Sequence, residues 1–236
     1  MLSNDVINQT IKERLSPIKN KLSNNNLLVH EIYASVQGES SYMGYPCVFV
    51  RTTACHLRCT YCDTASAFFK GTEKSLEEVV KQVLAYGIDL VELTGGEPLL
   101  QEASFTLLRL LADNNLTVLL ETSGGVSIKK VDKRIKVILD VKTPGSGQVH
   151  KNVWHNLDIL WPGCEVKFVL TCLSDYEFAK EICVKYDLYN KTKVLFSAAY
   201  GQIEHSILAE KMVIDCLPAR LQIQLHKVLW GNEPGK

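Results

Sequence analysis

Three cysteines fall within eight consecutive residues of this 236-residue chain. Cys55, Cys59 and Cys62 have the spacing C-x3-C-x2-C and follow an apolar run that ends at Arg51. Three thiolates suit the ligation of an iron–sulfur cluster, whereas a structural zinc site is normally closed by four ligands. His56 is a fourth candidate ligand, but as the neighbour of Cys55 it is poorly placed to reach the same metal. The spacing favours a [4Fe–4S] cluster, and a zinc knuckle is the alternative.

A cluster with three protein ligands leaves one iron open, and that iron has a specific use. An open iron can chelate the amine and carboxylate of a methionine moiety and so place its sulfonium beside the cluster for one-electron reduction. A fourth cysteine would block this chemistry. The spacing alone therefore supports a metal site with one open coordination position, the feature that cleavage of S-adenosylmethionine (SAM) would need.

The overall composition supports a small-molecule enzyme. Lys plus Arg and Asp plus Glu both number 26, so the chain lacks the net positive charge of a typical nucleic-acid binder. Residues 1–20 contain no apolar run of a secretory signal, and no later segment has the roughly 18 apolar residues of a membrane span. We therefore expect a cytoplasmic protein with no nucleic-acid or membrane partner. The other five cysteines are scattered among apolar neighbours and are predicted to be buried free thiols: Cys47, Cys164, Cys172, Cys183 and Cys216.

The elements that position the cysteines alternate along the chain. Residues 1–28 are predicted to form a polar, partly helical extension, and residues 29–236 a single core domain. Apolar runs predict strands at 47–51, 90–93, 117–121, 136–141, 165–170 and 193–197, and a period of two predicts another within 220–230. Amphipathic patterns predict helices at 75–86, 103–114, 174–186 and 203–216. Capping boxes are predicted at two of their starts, Ser75 with Glu78 and Ser174 with Glu177.

Strand–helix alternation of this kind favours a parallel α/β sheet. Too few strands are present for a full eightfold barrel of typical length, so we predict a partial, curved barrel with outer helices. Functional residues should then lie at the carboxyl ends of the strands.

Polar motifs do follow the apolar runs. Thr94-Gly-Gly96-Glu97-Pro stands after the second predicted strand, where the glycines allow close backbone approach to a ligand and Glu97 offers an anion to an ammonium. Glu121-Thr-Ser123-Gly-Gly follows the next strand. Lys142 follows the one after that and could neutralise a carboxylate. Each motif alone is also compatible with an ordinary turn or a solvated lysine.

Taken in this order, the motifs resemble those of the radical SAM superfamily, which pairs C-x3-C-x-aromatic-C with Gly-Gly-Glu-Pro on a partial (β/α)6 barrel. The resemblance implies that Tyr61 lies against the adenine of SAM. It also implies that Gly96 and Glu97 contact the methionine amine, and that Ser123 and Lys142 contact the carboxylate or the ribose.

A narrower resemblance covers residues 30–231. Glu31-Ile-Tyr-Ala-Ser-Val36-Gln37-Gly38-Glu39, Phe49-Val-Arg51, Cys62-Asp63-Thr64 and the Gln222–Gly231 segment are similar to the 7-carboxy-7-deazaguanine synthase family of queuosine and deazapurine biosynthesis. The resemblance implies a lyase that converts 6-carboxy-5,6,7,8-tetrahydropterin to 7-carboxy-7-deazaguanine, with hydrogen abstraction by a 5′-deoxyadenosyl radical, ring contraction, loss of ammonia and regeneration of SAM. By position, it assigns Mg2+ to Thr64. The residues that it assigns to the pterin are Val36, Gln37, Gly38, Arg51 and Thr94.

The chain departs from the family pattern at four places. Ala54 precedes Cys55, and Ser40 follows Glu39, where the family has glycine. Asp140-Val-Lys142 stands where the family commonly has Ser-Pro-Lys. Two residues follow Pro234, whereas the family can end on a proline whose carboxylate meets the substrate.

Two other activities compete with the ring-contracting lyase. A radical SAM activating enzyme would place a glycyl radical on a protein partner, but it would need no pterin-shaped polar pocket. A non-enzymatic zinc module would lack iron. The family resemblance also implies a homodimer and an electron donor such as flavodoxin or ferredoxin.

Overall fold

The computed structural model describes residues 3–18, 23–231 and 233, and these fold around one nine-stranded sheet. The strand order is β3-β1-β2-β4-β5-β6-β7-β8-β9. The strands are β1 Asn26–Val36, β2 Pro46–Thr52, β3 Thr72–Ser75, β4 Leu90–Gly95, β5 Thr117–Thr122, β6 Lys136–Asp140, β7 Glu165–Leu170, β8 Lys193–Ala198 and β9 Arg220–Gln222.

Eight α-helices occur in the described residues, and six short 3-10 helices lie in the connections. The α-helices are α1 Asn4–Ile7, α2 Ile11–Arg14, α3 Leu76–Leu84, α4 Ala103–Asp113, α5 Leu173–Lys185, α6 Leu188–Lys191, α7 His205–Ile214 and α8 Leu225–Trp230. The 3-10 helices are Ser16–Ile18, Ala65–Phe68, Pro98–Leu100, Pro144–Ser146, Val149–Lys151 and Trp154–Leu157. Within the described part of the chain, no helix is long and apolar enough to cross a membrane.

The predicted partial (β/α)6 barrel is confirmed. Strands β2 and β4 to β9 are parallel to one another. Strand β1 pairs antiparallel with β2, and β3 pairs antiparallel with β1 at the edge of the sheet. The predictions did not include β1 or β3. β1 begins at Asn26, three residues inside the segment assigned to the N-terminal extension. A signal for β1 existed in the β-branched and aromatic residues of 29–36, which precede the turn residues Gly44 and Pro46.

Residues of each parallel strand alternate between the two faces of the sheet. In β7, Val166 and Phe168 are fully buried in the main core under the helices, whereas Lys167 points to the concave face. The same period places Leu120 in the main core and Glu121 on the concave face of β5. The concave face therefore carries the polar side chains near the carboxyl ends of the strands.

Two outer positions of the barrel lack an α-helix. The connections from β5 to β6 and from β6 to β7, all of whose residues are described, contain only loops and 3-10 helices. Apolar side chains of these connections complete the main core instead: Ile128, Val131, Ile135, Leu157 and Trp161. They take the place of a packed helix in shielding the sheet from water.

The predicted helix starts have different outcomes. The capping box of Ser75 and Glu78 at α3 is confirmed, with Ser75 Oγ accepting from the Glu78 N–H. The second capping box is wrong, because α5 begins at Leu173 after Cys172 without a side-chain cap. Asp175 instead accepts hydrogen bonds from the N–H groups of Gly145 and Thr171 and so ties the start of α5 to the loop after β6.

The predicted strand at 220–230 is largely wrong. Only Arg220–Gln222 pairs with β8, and Leu225–Trp230 is helical. The Leu225 N–H donates to the Gly38 carbonyl, which turns the chain away from the sheet edge. Two of the cysteines predicted to be buried, Cys172 and Cys216, are exposed, whereas Cys47, Cys164 and Cys183 are buried as expected.

Candidate active site

The cysteine loop, residues 53–64, follows β2 at the carboxyl edge of the sheet. Cys55 and Cys59 are buried, Cys62 is half-buried, and all three line a cleft of about 180 Å³, here called the cysteine pocket. In the described chain, no three histidine, cysteine or carboxylate side chains converge closely enough to hold a single metal ion. Three thiols at one pocket fit the ligation of an iron–sulfur cluster, whereas a structural zinc site normally has a fourth protein ligand.

The thiols carry their protons in the metal-free protein. Burial raises the pKa of Cys55 to about 12 and that of Cys62 to about 11. Since thiolates are the metal ligands, binding of a cluster would release these protons and would supply the positive charge that stabilises the thiolates.

The Gly-Gly-Glu-Pro segment is hydrogen-bonded to the backbone at the start of the cysteine loop. The Glu97 N–H donates to the Ala54 carbonyl at 2.9 Å, and the Gly96 N–H donates to Thr52 at 3.1 Å. A Cβ atom on Gly96 would lie 2.1 Å from the Ala54 carbonyl oxygen. Gly96 is therefore required for the close backbone approach of this segment to the loop.

The carboxylate of Glu97 serves the same packing and does not line the cysteine pocket. It is fully buried and accepts hydrogen bonds from Leu99 N at 3.0 Å, Thr122 Oγ1 at 2.8 Å and Ser123 N at 2.8 Å. Ser123 Oγ also donates to it. These protein donors orient the Glu97 carboxylate between two loops, and its contact with the methionine amine stays a prediction.

Lys142 and Tyr61 lie together on the other wall of the cysteine pocket. Lys142 Nζ is 5.8 Å from the Tyr61 ring centroid and 2.7 Å from Asp140 Oδ2. Burial favours the neutral amine, but the Asp140 carboxylate outweighs it and raises the pKa of Lys142 well above its usual value. Asp140 thus keeps a buried ammonium charged at the position where the family has Ser-Pro-Lys. The Tyr61 hydroxyl is buried without a partner.

A second pocket, here called the polar pocket, adjoins the first and contains the residues predicted to bind the pterin. Gln37 is held in place at both ends of its amide, since Nε2 donates to Glu92 at 2.6 Å and Oε1 accepts from Glu39 N at 3.1 Å. Arg51 lines both pockets and donates to Glu31 at 2.7 Å and to the Tyr33 hydroxyl at 2.7 Å. Both side chains are thus oriented before any ligand binds.

A charged group that the predictions missed lies between the two pockets. The ammonium of Lys167 is almost fully buried, lies 2.7 Å from Glu39 Oε2 and also pairs with Glu121. Both carboxylates line both pockets. The signal for these residues was the charge inside an apolar run, because Lys167 interrupts the otherwise apolar 166–170 segment and the period of two places it on the concave face.

Glu92 is a further buried acid that the predictions missed. Burial, together with the charge of Glu121, raises its pKa to about 8, so this carboxyl is largely protonated at neutral pH. It lines the polar pocket beneath Gln37 and adds no full negative charge there.

The C-terminal segment closes the polar pocket. Gln224 donates to Glu39 at 2.9 Å, and Lys227 pairs with Asp63 at 3.1 Å. A Cβ atom on Gly38 would lie 2.1 Å from His226 Nδ1, so glycine is needed where α8 packs on the turn after β1. The residues predicted to depart from the family after Pro234 lie outside the described residues.

Of the fourteen predicted site residues, ten line the cysteine pocket and three more line the polar pocket, leaving Glu97 behind both. The ten are Cys55, Cys59, Cys62, Tyr61, Thr64, Gly96, Ser123, Lys142, Arg51 and Thr94. The three are Val36, Gln37 and Gly38.

Comparisons with known proteins agree with this geometry. Residues 49–144 match the Radical SAM superfamily. The chain is 42% identical over 210 residues to the 7-carboxy-7-deazaguanine synthase of Chlorobaculum tepidum, covering 88% of this chain and 96% of that protein. It is also 42% identical over 221 residues to the enzyme of the same name from Koribacter versatilis, covering 87% and 97%.

A solved structure shares the fold. The crystal structure of QueE from Escherichia coli superposes with a TM-score of 0.70 at 20% identity, covering 85% of this chain and 95% of that one. Radical SAM enzymes use a [4Fe–4S] cluster and SAM, and the three thiols of the cysteine pocket fit such a cluster. The predicted resemblance is confirmed: the chain belongs to the 7-carboxy-7-deazaguanine synthase family of the radical SAM superfamily.

Proposed function

We propose that this protein converts 6-carboxy-5,6,7,8-tetrahydropterin to 7-carboxy-7-deazaguanine with loss of ammonia. The observation that carries the proposal is the continuity of the two pockets. The cysteine pocket and the polar pocket share seven lining residues, which are Glu39, Arg51, Asp63, Thr64, Thr94, Glu121 and Gln224. A substrate in the polar pocket therefore lies beside the position of the cluster and SAM.

Cys55, Cys59 and Cys62 would hold the [4Fe–4S] cluster, which together with SAM would supply the radical chemistry that removes a hydrogen atom from the substrate. The chain itself orients the reactants. The Tyr61 ring, the backbone of Gly96, Ser123 and the Lys142 ammonium face the space for SAM in the cysteine pocket. Glu97 acts through the loops that it joins.

The polar pocket offers complementary groups for a carboxylated pterin. Pterins carry an amino group beside a ring N–H, and carboxylates such as those of Glu39 and Glu121 accept from such a paired donor edge. Arg51 carries a guanidinium that can pair with the substrate carboxylate in a bidentate manner. Thr94 adds a hydroxyl, which donates to Glu121 at 3.2 Å in the substrate-free site.

Mg2+ is assigned to Thr64. Its hydroxyl lies at the boundary of the two pockets and donates to Asp63 at 3.0 Å. A single hydroxyl makes a weak site, which agrees with the tendency of Mg2+ to keep waters and to borrow substrate oxygens. We expect turnover of Thr64→Val to lose its stimulation by added Mg2+.

The cellular setting belongs to the same proposal. The protein is a cytoplasmic homodimer, takes electrons from a donor such as flavodoxin or ferredoxin, and consists of a core domain preceded by the extension of residues 1–28. Action on a protein partner is not favoured, since the polar pocket carries groups complementary to a carboxylated pterin and the relatives carry the name of a small-molecule enzyme.

The test is a product assay with anaerobically reconstituted protein. Incubation with 6-carboxytetrahydropterin, SAM and a reductant should yield 7-carboxy-7-deazaguanine. Arg51→Lys should raise KM for the pterin at least about tenfold, because a lysine cannot keep the bidentate pairing. Lys130→Ala, an exposed residue remote from both pockets, is the matched control and should behave as wild type.

Metal analysis separates the possible failures. Wild-type protein should bind about four irons per chain, and Cys59→Ala should lose them. Absence of product from protein with a full cluster would exclude the lyase activity, whereas one bound zinc and no iron would restore the zinc alternative.

A further inference from the structure

The N-terminal segment, residues 3–18, lies on the outer side of the cysteine loop. Matches to the two relatives cover 96% and 97% of those proteins but only 88% and 87% of this chain. The motifs shared with the family start at Glu31, downstream of the segment. Its contacts with the cysteine loop are therefore features of this chain that the family motifs do not include.

The segment completes the surroundings of a buried arginine. Arg58, which precedes Cys59, is 1% exposed, and no carboxylate of the described residues pairs with it. Its Nη1 donates to the carbonyls of Cys55 at 2.8 Å and Leu57 at 2.6 Å. Nε and Nη2 both donate to Gln9 Oε1, at 3.2 and 2.8 Å.

Gln9 Oε1 thus accepts from two guanidinium nitrogens that do not donate to the cysteine loop. The guanidinium also lies 4.0 Å from the Phe68 ring centroid, so it is enclosed by an aromatic face on one side and by the N-terminal segment on another. Buried donors without partners are costly, so acceptance by Gln9 stabilises the orientation in which Arg58 donates to the Cys55 and Leu57 carbonyls.

A second arginine joins the segment to the loop. Arg14 Nη1 donates to the His56 carbonyl at 3.0 Å, while its Nε and Nη2 donate to the carbonyls of Gln9 and Ile7, each at 2.8 Å. Val6 packs on the apolar cluster that contains Cys55 and Cys59. Polar and apolar contacts therefore converge on the same three-cysteine loop.

We propose that residues 3–18 form a cover that positions the cysteine loop and shields its outer side, with Gln9 and Arg14 as the positioning residues. Through Arg58 and Arg14, the cover fixes the carbonyls of Cys55, His56 and Leu57. The thiols are then held in place before the cluster is inserted, and water and oxidants have less access to the inserted cluster from this side. The second consequence rests on the proposed function, because it requires that the loop bind a cluster.

Three full-length variants test the cover. Gln9→Leu removes the acceptor at similar size, Gln9→Glu restores an acceptor, and Asn8→Leu changes a neighbouring exposed amide whose side chain makes no hydrogen bond to the loop within the described residues. Amide hydrogen exchange of residues 54–62 is measured in the metal-free protein, with α4 as the internal reference. The half-life of the reconstituted cluster in air is measured separately by its visible absorbance.

We expect Gln9→Leu to accelerate exchange in residues 54–62 and loss of the cluster by about fivefold or more, while α4 is unchanged. Gln9→Glu and Asn8→Leu should remain near wild type. The proposal is overturned if Gln9→Leu matches Asn8→Leu in both measurements, or if exchange in α4 rises equally. The exchange measurement needs neither cluster nor pterin, so it tests the cover even if the lyase assay fails.

Discussion

The backbone N–H of Ser123 donates to the carboxylate of Glu97 at 2.8 Å and thereby joins the loops that follow β4 and β5. Thr122 Oγ1 and the Ser123 hydroxyl donate to the same carboxylate. The backbone of Glu97 in turn donates to Ala54, next to the first cysteine. One buried acid therefore couples the loops after β4 and β5 to the cysteine loop.

Glu97→Gln should destabilise even the metal-free protein. The new amide group would face donors and leave a buried hydrogen bond unmade, which costs about 1–3 kcal/mol. Urea unfolding of the metal-free protein measures this loss. If Glu97 served only to bind the SAM ammonium, the unfolding free energy without SAM would stay at the wild-type value.

Lys167→Met should strongly destabilise the fold and abolish pterin binding. The change leaves Glu39 and Glu121 in the buried site without their cation, and removal of one partner from a buried ion pair costs about 3–5 kcal/mol. Urea unfolding measures the loss of stability, and isothermal titration calorimetry measures pterin binding. Lys193→Met is the control, since the Lys193 side chain is exposed and donates to the Ser41 hydroxyl, and it should change stability by less than about 0.5 kcal/mol.

Glu92→Gln should alter the dependence of stability on pH. The folded pKa of Glu92 is about 8 and its ordinary value is 4.5, so between these values the folded protein retains a proton that the unfolded chain releases. The contribution of Glu92 to the free energy of unfolding is therefore largest below about pH 4.5 and falls as pH rises toward 8. Glutamine keeps an acceptor for Gln37 and has no proton to lose.

The variant should consequently gain stability over wild type as pH rises, by at most about 1.4 kcal/mol per pH unit. Urea unfolding at about pH 5 and at about pH 8 measures the difference in unfolding free energy between Glu92→Gln and wild type at each pH. A difference that is constant across this range would show that Glu92 is ionised in the folded protein.

Ala54→Gly should stabilise the protein. Ala54 has φ +79° and Ser40 has φ +63°, so both positions at which the family has glycine lie in the left-handed region. Relief of this strain exceeds the added freedom of the unfolded chain, and we expect a gain of roughly 0.5–1 kcal/mol. Ala112→Gly within α4 is the control of opposite sign, with an expected loss of about 1 kcal/mol. Destabilisation by Ala54→Gly would show that the left-handed turn carries no strain.

Local sequence patterns determined the parallel part of the sheet and the cysteine site. The strands β2 and β4 to β8 are visible as local apolar runs, and the three cysteines lie in one short loop. Both features can therefore be predicted without knowledge of contacts between distant residues. The same patterns failed at 220–230, where alternating Leu221, Ile223 and Leu225 resembled a strand. Packing of α8 against the Gly38 turn, far away in sequence, overrides that alternation.

The sequence by itself thus specified the class of fold and the three-cysteine motif and, through the family motifs, predicted the polar residues that line the two pockets. Only the tertiary structure decided which of these side chains face the pockets. Glu97 is behind them because four donors from two separate loops meet its carboxylate, and Lys167 lies between them because Glu39 and Glu121 converge on its ammonium. Such contacts join residues up to 128 positions apart, and no local period encodes them.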